Sequence, residues 1–333
     1  MSKPKIYVVA GATASGKTDV GIALAKKLDG VVISADSLQI YEHISIATAK
    51  PTTEEMQGVI HHMLSVARLD RPFSVKDYVS IAQKHVQDAI DSNKIPIIVG
   101  GTGFYINALL YGIDFTDSIA TSQATNICTS ALPSNEKSCD ENTIREKLNE
   151  QAQQHGAEFL HNKLKEIDHK YAETVHPKNI KKVVRALAFY EITGKLFSEY
   201  NAEQKQKEPL FDTNFTVLSM PRNILYERIN TRAAKMWREG LLDEARMLKE
   251  YCEKNGLDLD IQPMRAIGYK EALAYDAGLM SESDAIAAMQ QATRNYAKRQ
   301  ETWFRHQAKG ARWVDTIGKT AEEIADEILA HGA

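Results

Sequence analysis

The sequence is poor in the features that hold small secreted proteins or membrane proteins together. Its cysteines are three, Cys128, Cys139 and Cys252, an odd count at wide spacing with no C-x-x-C pair. That excludes a disulfide framework and a thiolate zinc site. No uncharged apolar run approaches the length of about eighteen residues that a membrane helix needs, so no membrane association is expected. Met1-Ser2-Lys3-Pro4-Lys5 leads directly into an apolar run with no secretory signal, and a cytoplasmic protein is expected. The formal net charge is only −3. A nucleic-acid role would therefore have to rest on local clusters of Lys and Arg. What is present is 333 residues with 43% hydrophobic content, enough for one large domain or two modest ones with a buried core.

The most informative stretch is Gly11-Ala12-Thr13-Ala14-Ser15-Gly16-Lys17-Thr18, between the apolar run Ile6 to Ala10 and a helical pattern from Asp19 to Leu28. It fits the phosphate-loop pattern G-x-x-x-x-G-K-[ST]. Glycines let successive amides face inward, the following helix adds the positive end of its dipole, and Lys17 adds a full charge. Thr18 can offer its hydroxyl to a magnesium ion that the phosphates also hold. By default such a loop binds a nucleoside triphosphate, which would mean a kinase or a switch.

A second strand, Val31 to Ser34, empties into Ala35-Asp36-Ser37-Leu38-Gln39-Ile40-Tyr41, and strand ends of this kind place Asp36 near the phosphate loop. The adjacent pair His61-His62 points to two sides of any regular element, so one metal held by both is not expected. Val75, Tyr78, Val79, Ala82, Val86 and Ile90 recur at helical spacing. Ile95 to Val99 predicts a buried strand that ends in Gly100-Gly101-Thr102-Gly103, where switches and ATPases place a carboxylate for magnesium. Glycines there allow close approach to a ligand, and Thr102 offers it a hydroxyl.

Asp114 to Asn142 is rich in Ser, Thr, Asn and Asp and predicts a loop or insertion boundary; helical patterning then resumes at Ile144 and runs to about Gly194. Core candidates there are Leu148, Phe159, Leu160, Leu164, Ile167, Val183, Val184, Leu187 and Tyr190. Lys181, Lys182 and Arg185 share one helical turn, which suits either a phosphate backbone or a solvated face. Phe215 to Met220 reads as a strand, followed by helices from Ile224 to Glu239 and from Leu242 to Cys252 with a stop at Gly240, and Pro263 to Lys270 reads as an irregular basic loop. On the last long helix, Ser283 to about Gln307, the residues Arg294, Lys298, Arg305 and Lys309 fall within about 60° of one another at 3.6 residues per turn. Met289, Ala292, Tyr296 and Trp303 lie roughly opposite, as a docking face.

Taken together these residues resemble the isopentenyltransferase family, the tRNA dimethylallyltransferases. The resemblance is carried by Ala14 to Thr18, Asp36-Ser37 with Gln39 and Tyr41, Thr48-Ala49-Lys50-Pro51, Gly100 to Gly103 with Tyr105, His176-Pro177, Arg185-Ala186-Leu187, Gly268-Tyr269, and Lys298-Arg299-Gln300 with Trp303. It implies transfer of a dimethylallyl group from dimethylallyl diphosphate to the exocyclic amine of the adenosine just 3′ of the anticodon of tRNA, with Mg2+. The phosphate loop, Gly11 to Thr18, would then cradle the diphosphate leaving group, so that ATP binding is suggested by motif only. Family similarity makes Asp36 the general base with Thr102 beside it. It assigns tRNA contacts to Asp36, Ser37, Leu38, Gln39, Thr102, Arg145, Lys181, Lys182, Arg185, Arg265, Gly268, Tyr269, Lys270, Lys298 and Arg305.

Ala12, Ala47, Ile60 and Asn179 depart from the family pattern, as does the stretch from Phe115 to Asn142 that precedes Arg145. The zinc-finger extension of eukaryotic relatives is not expected. The fold implied is α/β: a parallel sheet of the P-loop NTPase kind flanked by helices, with residues 1–115 opening the core, 116–200 a helical insertion that contacts tRNA, and 201–333 the remainder with basic C-terminal helices. A monomer is expected. The competing readings are a small-molecule kinase of the shikimate-kinase kind, an adenylate isopentenyltransferase, and a nucleotide-dependent RNA-binding switch.

Overall fold

In the computed structural model the described residues are 3–113 and 141–331, in two compact units. One unit comprises residues 1–112 and 209–333, the other residues 113–208. Cys128 and Cys139 and most of the stretch from Asp114 to Asn142 lie outside the described residues.

The first unit begins with β1 (Lys5–Gly11), α1 (Lys17–Leu28), β2 (Gly30–Ser34), β3 (His61–His62), α2 (Val75–Asp91), β4 (Ile95–Gly100) and α3 (Gly103–Tyr111). Strands β1, β2 and β4 are short apolar runs rich in β-branched residues and are buried on both faces, as parallel strands covered by helices must be. A capping box at Ser74 and Asp77 starts α2.

The second unit holds α4 (Glu141–His155), α5 (Ala157–Ile167), α6 (His169–Ala172), α7 (Ile180–Thr193) and α8 (Phe197–Gln206). The sequence-based boundary at residue 200 falls inside α8. Ile144, Leu148, Leu160, Leu164, Val183, Leu187, Phe189 and Phe197 form its core. Phe159 and Tyr190, expected in that core, are exposed; Phe159 lies against the ring of His155 instead. The buried carboxylate of Asp168 accepts from Tyr171 N and Ser198 N, tying the start of α6 to α8.

The first unit resumes with β5 (Asp212–Ser219), α9 (Arg222–Met236), α10 (Leu242–Lys254), α11 (Tyr269–Asp276), α12 (Glu282–Gln307), β6 (Arg312–Asp315) and α13 (Ala321–Ala330). Between α9 and α10, Gly240 takes φ 105°, a left-handed conformation that ends the first helix where the sequence predicts a stop. The expected basic loop is in part helical, since Tyr269 to Asp276 form α11. The C-terminal helix α13 is acidic, with Glu322, Glu323, Asp326 and Glu327, contrary to a uniformly basic C-terminus.

The six strands are parallel in the order β3-β2-β4-β1-β5-β6. Register places Gly11 beside Leu218, Ala10 beside Gly100 and Ser34 beside Val99, so β1, β2 and β4 end together. Ligands of open parallel sheets bind beyond such carboxyl ends. One core, including Val9, Val20, Leu24, Ile97, Leu218, Ile324 and Ile328, lies between the sheet and α1 and α13. A second, built from Ile40, Tyr41, Ile44, Trp237, Leu241, Leu248, Tyr269 and Met289, fixes the loop after β2 against the later helices.

Candidate active site

The phosphate loop runs from the end of β1 into α1. Ala14 (φ 64°) and Gly16 (φ 87°) are left-handed, curling the backbone into the shape that makes an anion nest. Lys17 is the first residue of α1, and its Nζ donates to Ala12 O at 2.7 Å. Burial, reinforced by the Arg232 guanidinium and opposed by Asp36, pushes the Lys17 pKa down to about 7. Arg232, on α9, donates to the Thr13 hydroxyl, and burial lowers its pKa as well, with Arg228 adding to the effect and Asp36 opposing it. Two cations thus face one carboxylate in a confined space. Such an excess of buried positive charge is stabilised by an incoming anion.

Asp36 lies two residues beyond β2. Its Oδ1 accepts from Leu38 N at 2.9 Å and Gln39 N at 3.3 Å, an Asx turn that fixes the carboxyl group. Among the described residues no protein donor reaches Oδ2. The neighbouring strand end is held close: Ala35 N donates to Val99 O at 2.8 Å, Thr102 N to Ala35 O at 3.0 Å and Ser37 N to Thr102 Oγ1 at 3.1 Å. A side chain at Gly100 would collide with the Ala35 backbone, which explains the glycine at that strand end.

Two cavities meet at Asp36. Thr13, Lys17, Thr18, Ser34, Gln39 and His61 belong to the first, on the phosphate-loop side. The second, of about 330 Å³, is walled by Ser37, Leu38, Met236, Ile267, Met289 and Arg299. Thr13, Asp36, Thr48, Arg232 and Tyr296 line both. His61 donates from Nδ1 to Val59 O at 2.9 Å, while His62 stacks on His85, so the two histidines do different things, as their adjacency predicts.

Three residues at this site escaped sequence reasoning: Arg232, Tyr296 and Gln300. Gln300, nearly buried on α12, accepts from Thr13 N at 2.8 Å and donates to Gly101 O at 3.0 Å, bridging the phosphate loop and the turn after β4. Tyr296 faces Thr102 and Gln300, and burial, with Asp36 adding to it, raises its hydroxyl pKa. The spacing of Arg228 and Arg232, one helical turn apart on α9, was a usable signal. Tyr296 was marked only as a docking residue, and Gln300 only as part of the family resemblance, with no role at the site.

The residues expected to contact tRNA divide by location. Asp36, Ser37, Leu38, Gln39 and Thr102 surround the cavities; Gln39 is held by its own bonds from Nε2 to Thr48 O and Ala49 O. Arg265 is exposed on the second cavity and paired with Asp260 at 3.0 Å, and Lys270 is exposed. Gly268 and Tyr269 are not on that surface: both are buried, and the Tyr269 hydroxyl donates to Glu244 at 2.7 Å. The stripe on α12 is shorter than expected. Arg294 is engaged by Asn230 and Gln291, and Lys309 lies beyond the end of the helix. Lys298 and Arg305 are exposed, and Lys298, Arg299, Trp303 and His306 line an open cleft along the helix. The buried line of α12 is Ala285, Met289, Ala297, Gln300 and Phe304, so Ala292, Tyr296 and Trp303 are only partly covered. In the helical unit, Lys181, Lys182 and Arg185 are exposed on α7, whereas Arg145 on α4 is partly buried.

Residues 39–307 match the model of a family described as IPP transferase. A tRNA dimethylallyltransferase of Alkaliphilus oremlandii is 39% identical over 328 residues, 98% of this chain and 96% of the relative. Among solved structures, a tRNA delta(2)-isopentenylpyrophosphate transferase of Staphylococcus epidermidis superposes with a TM-score of 0.65 at 35% identity, covering 99% of this chain and 98% of the other. A eukaryotic dimethylallyltransferase acting on tRNA superposes with a TM-score of 0.78 at 28% identity, covering 95% of this chain and 74% of that one. With the phosphate loop, the Asp36 turn and the glycine turn after β4 gathered at one edge of a parallel sheet, the chain belongs to the IPP transferase family.

Proposed function

We propose that this protein is a tRNA dimethylallyltransferase that moves the dimethylallyl group of dimethylallyl diphosphate onto the exocyclic N6 amine of the adenosine 3′ of the anticodon, releasing diphosphate. The observation that carries the reading is the position of Asp36, which lines both the phosphate-loop cavity and the larger cavity beside it. A donor and an acceptor held in adjoining cavities meet at one carboxylate, the arrangement a direct transfer needs.

The diphosphate would lie against the loop from Gly11 to Thr18, with Lys17 and Arg232 neutralising the charge that grows as the bond between C1 and oxygen breaks. The amine nitrogen forms the new bond to C1, and its proton passes to the Oδ2 atom of Asp36, while Thr102 orients the base. Oδ1 is committed to the turn, so the carboxylate accepts the proton without losing its position. Among the described residues no group of three or more His, Cys, Asp or Glu side chains could hold a metal ion. The Thr18 hydroxyl would hold a magnesium ion, a hard cation that prefers oxygen ligands, and the ion would supply further neutralisation of the leaving group.

The anticodon stem-loop would be gripped by Lys298, Arg305, Arg265 and Lys270 on the sheet unit and by Arg145, Lys181, Lys182 and Arg185 on the helical unit. Contacts to phosphates hold the stem while the target base is unstacked and inserted. No helix among the described residues is long and apolar enough to cross a membrane. The enzyme would act as a cytoplasmic monomer.

The test supplies labelled dimethylallyl diphosphate and magnesium with tRNA, with AMP, or with ATP and small alcohols. Label should enter tRNA alone, with ATP untouched. Label in AMP, or steady consumption of ATP with none in tRNA, would reject the proposal in favour of the adenylate transferase or the kinase.

A further inference from the structure

Outside both cavities, the sheet unit buries one carboxylate with a full set of donors. Glu244 on α10 is 8% exposed. Its Oε2 accepts from Ser45 N at 2.6 Å and Ile46 N at 2.9 Å; its Oε1 accepts from Ala47 N at 3.0 Å and from the Tyr269 hydroxyl at 2.7 Å. Three consecutive amides of one loop therefore converge on a single buried anion. A buried charge is tolerated only when hydrogen bonds replace its water, and here most of the replacement comes from a loop.

That loop leads straight to the reacting groups. Ala47 and Thr48 line the larger cavity, Thr48 and Ala49 the phosphate-loop cavity. The carbonyls of Thr48 and Ala49 accept from Gln39 Nε2 at 3.2 and 3.1 Å, and Gln39 N donates to Asp36 Oδ1. A path of hydrogen bonds linked by short stretches of covalent chain runs from α10 to Asp36. Burial lowers the Lys50 pKa to about 8, with Glu244 and Glu42 opposing, and its Nζ is committed to Tyr41 O on the same loop and to Ser65 Oγ beyond β3.

We propose that Glu244 is a positioning residue for the transfer reaction: it holds the loop from Ser45 to Ala49 as the wall common to both cavities and, through Gln39, sets the turn that presents Asp36. This rests on the transferase reading given above. In a site where reacting groups must align, a displacement of about 1 Å far from the chemistry can cost on the order of a hundredfold in rate.

The experiment compares full-length wild type, Glu244→Gln, Glu244→Ala and Leu248→Val, the last loosening the core that α10 shares with the loop after β2 while leaving every hydrogen bond of Glu244 in place. Amide hydrogen exchange and prenyl transfer to tRNA are measured on each. Glu244→Ala should speed exchange at Leu38 and Gln39 by about tenfold or more and raise KM for both substrates along with a lower kcat, and Glu244→Gln, which keeps one acceptor oxygen, should fall between. Leu248→Val should lower Tm while leaving KM and those two amides unchanged. Unchanged exchange at Leu38 and Gln39 in Glu244→Ala, or a loss of kcat alone that Leu248→Val reproduces, would overturn the inference. Exchange is read without any reaction, so a wild type that transfers nothing to tRNA condemns the transferase reading separately.

Discussion

Replacing Asp36 with asparagine separates three contributions that one carboxylate makes. The first is shape. Asparagine retains an Oδ1 that accepts from Leu38 N and Gln39 N, so the fold should lose less than about 0.5 kcal/mol. Asp36→Ala strands both amides instead and should cost about 1–3 kcal/mol. The second is charge: Asp36 supports the protonated forms of Lys17 and Arg232, so its neutralisation drops the Lys17 pKa further below its present value of about 7. At pH 8 the KM for the diphosphate donor should then rise severalfold. The third is the proton. Losing a general base lowers turnover by roughly 10²- to 10⁴-fold, about 2.7–5.4 kcal/mol of barrier at 1.36 kcal/mol per decade. Single-turnover transfer from labelled dimethylallyl diphosphate to an anticodon stem-loop, at saturating donor, isolates this last quantity, while filter binding reports that tRNA affinity is retained. Turnover within about threefold of wild type, well short of the loss of a base, would refute the assignment.

Gly101→Val should abolish transfer while sparing tRNA affinity, because its side chain would displace Gln300 from the bridge between phosphate loop and strand end; retained activity would exclude that bridge from the site. Lys298→Gln with Arg305→Gln should weaken tRNA binding and reduce the slope of log affinity against log salt by about two, since roughly one counterion is released per phosphate contact; an unchanged slope would make α12 a solvated surface. The folded-state pKa of Lys17 lies below its ordinary value of 10.5, so between about 7 and 10.5 the unfolded chain binds more protons and stability rises with pH. Relative to Lys17→Met, wild type should be least stable below pH 7 and recover as the pH climbs, which denaturant titrations at pH 6, 8 and 10 would check.

The parallel sheet and the phosphate loop were legible because their signals are local: short β-branched runs, and glycines at fixed offsets from a lysine. Asp36 could be placed because strand ends gather at one edge, although its Asx turn could not be read without the fold. Tyr269 shows the limit. A tyrosine beside Lys270 and four positions after Arg265 reads as surface, yet it is buried, its hydroxyl bonded to Glu244 twenty-five positions earlier. Long-range partners decide burial, and no spacing rule reveals them. The same applies to Arg294, whose guanidinium donates to the Asn230 side-chain oxygen on a different helix. Strands β3 and β6 were too short to show a period, and α13 gave its helical pattern at the very end of the chain, past the residues that carry the family resemblance.

The backbone leaves the sheet unit and returns to it at a narrow gate within that unit, where Leu210 N donates to Leu110 O at 2.8 Å. Synthesis of the chain therefore has an awkward interval. Until β5 emerges, β1, the strand that bears the phosphate loop, has β4 on one side and a bare ladder of amides and carbonyls on the other, since its partners there, such as Phe215 for Val8, arrive about two hundred residues later. An unpaired central strand is a template for intermolecular pairing. Ribosomes stalled near the end of the helical unit should accordingly release an aggregation-prone product, whereas a chain in which a short linker joins the two sides of the gate would close its sheet early, because shortening the intervening loop lowers its closure entropy only modestly but removes the delay.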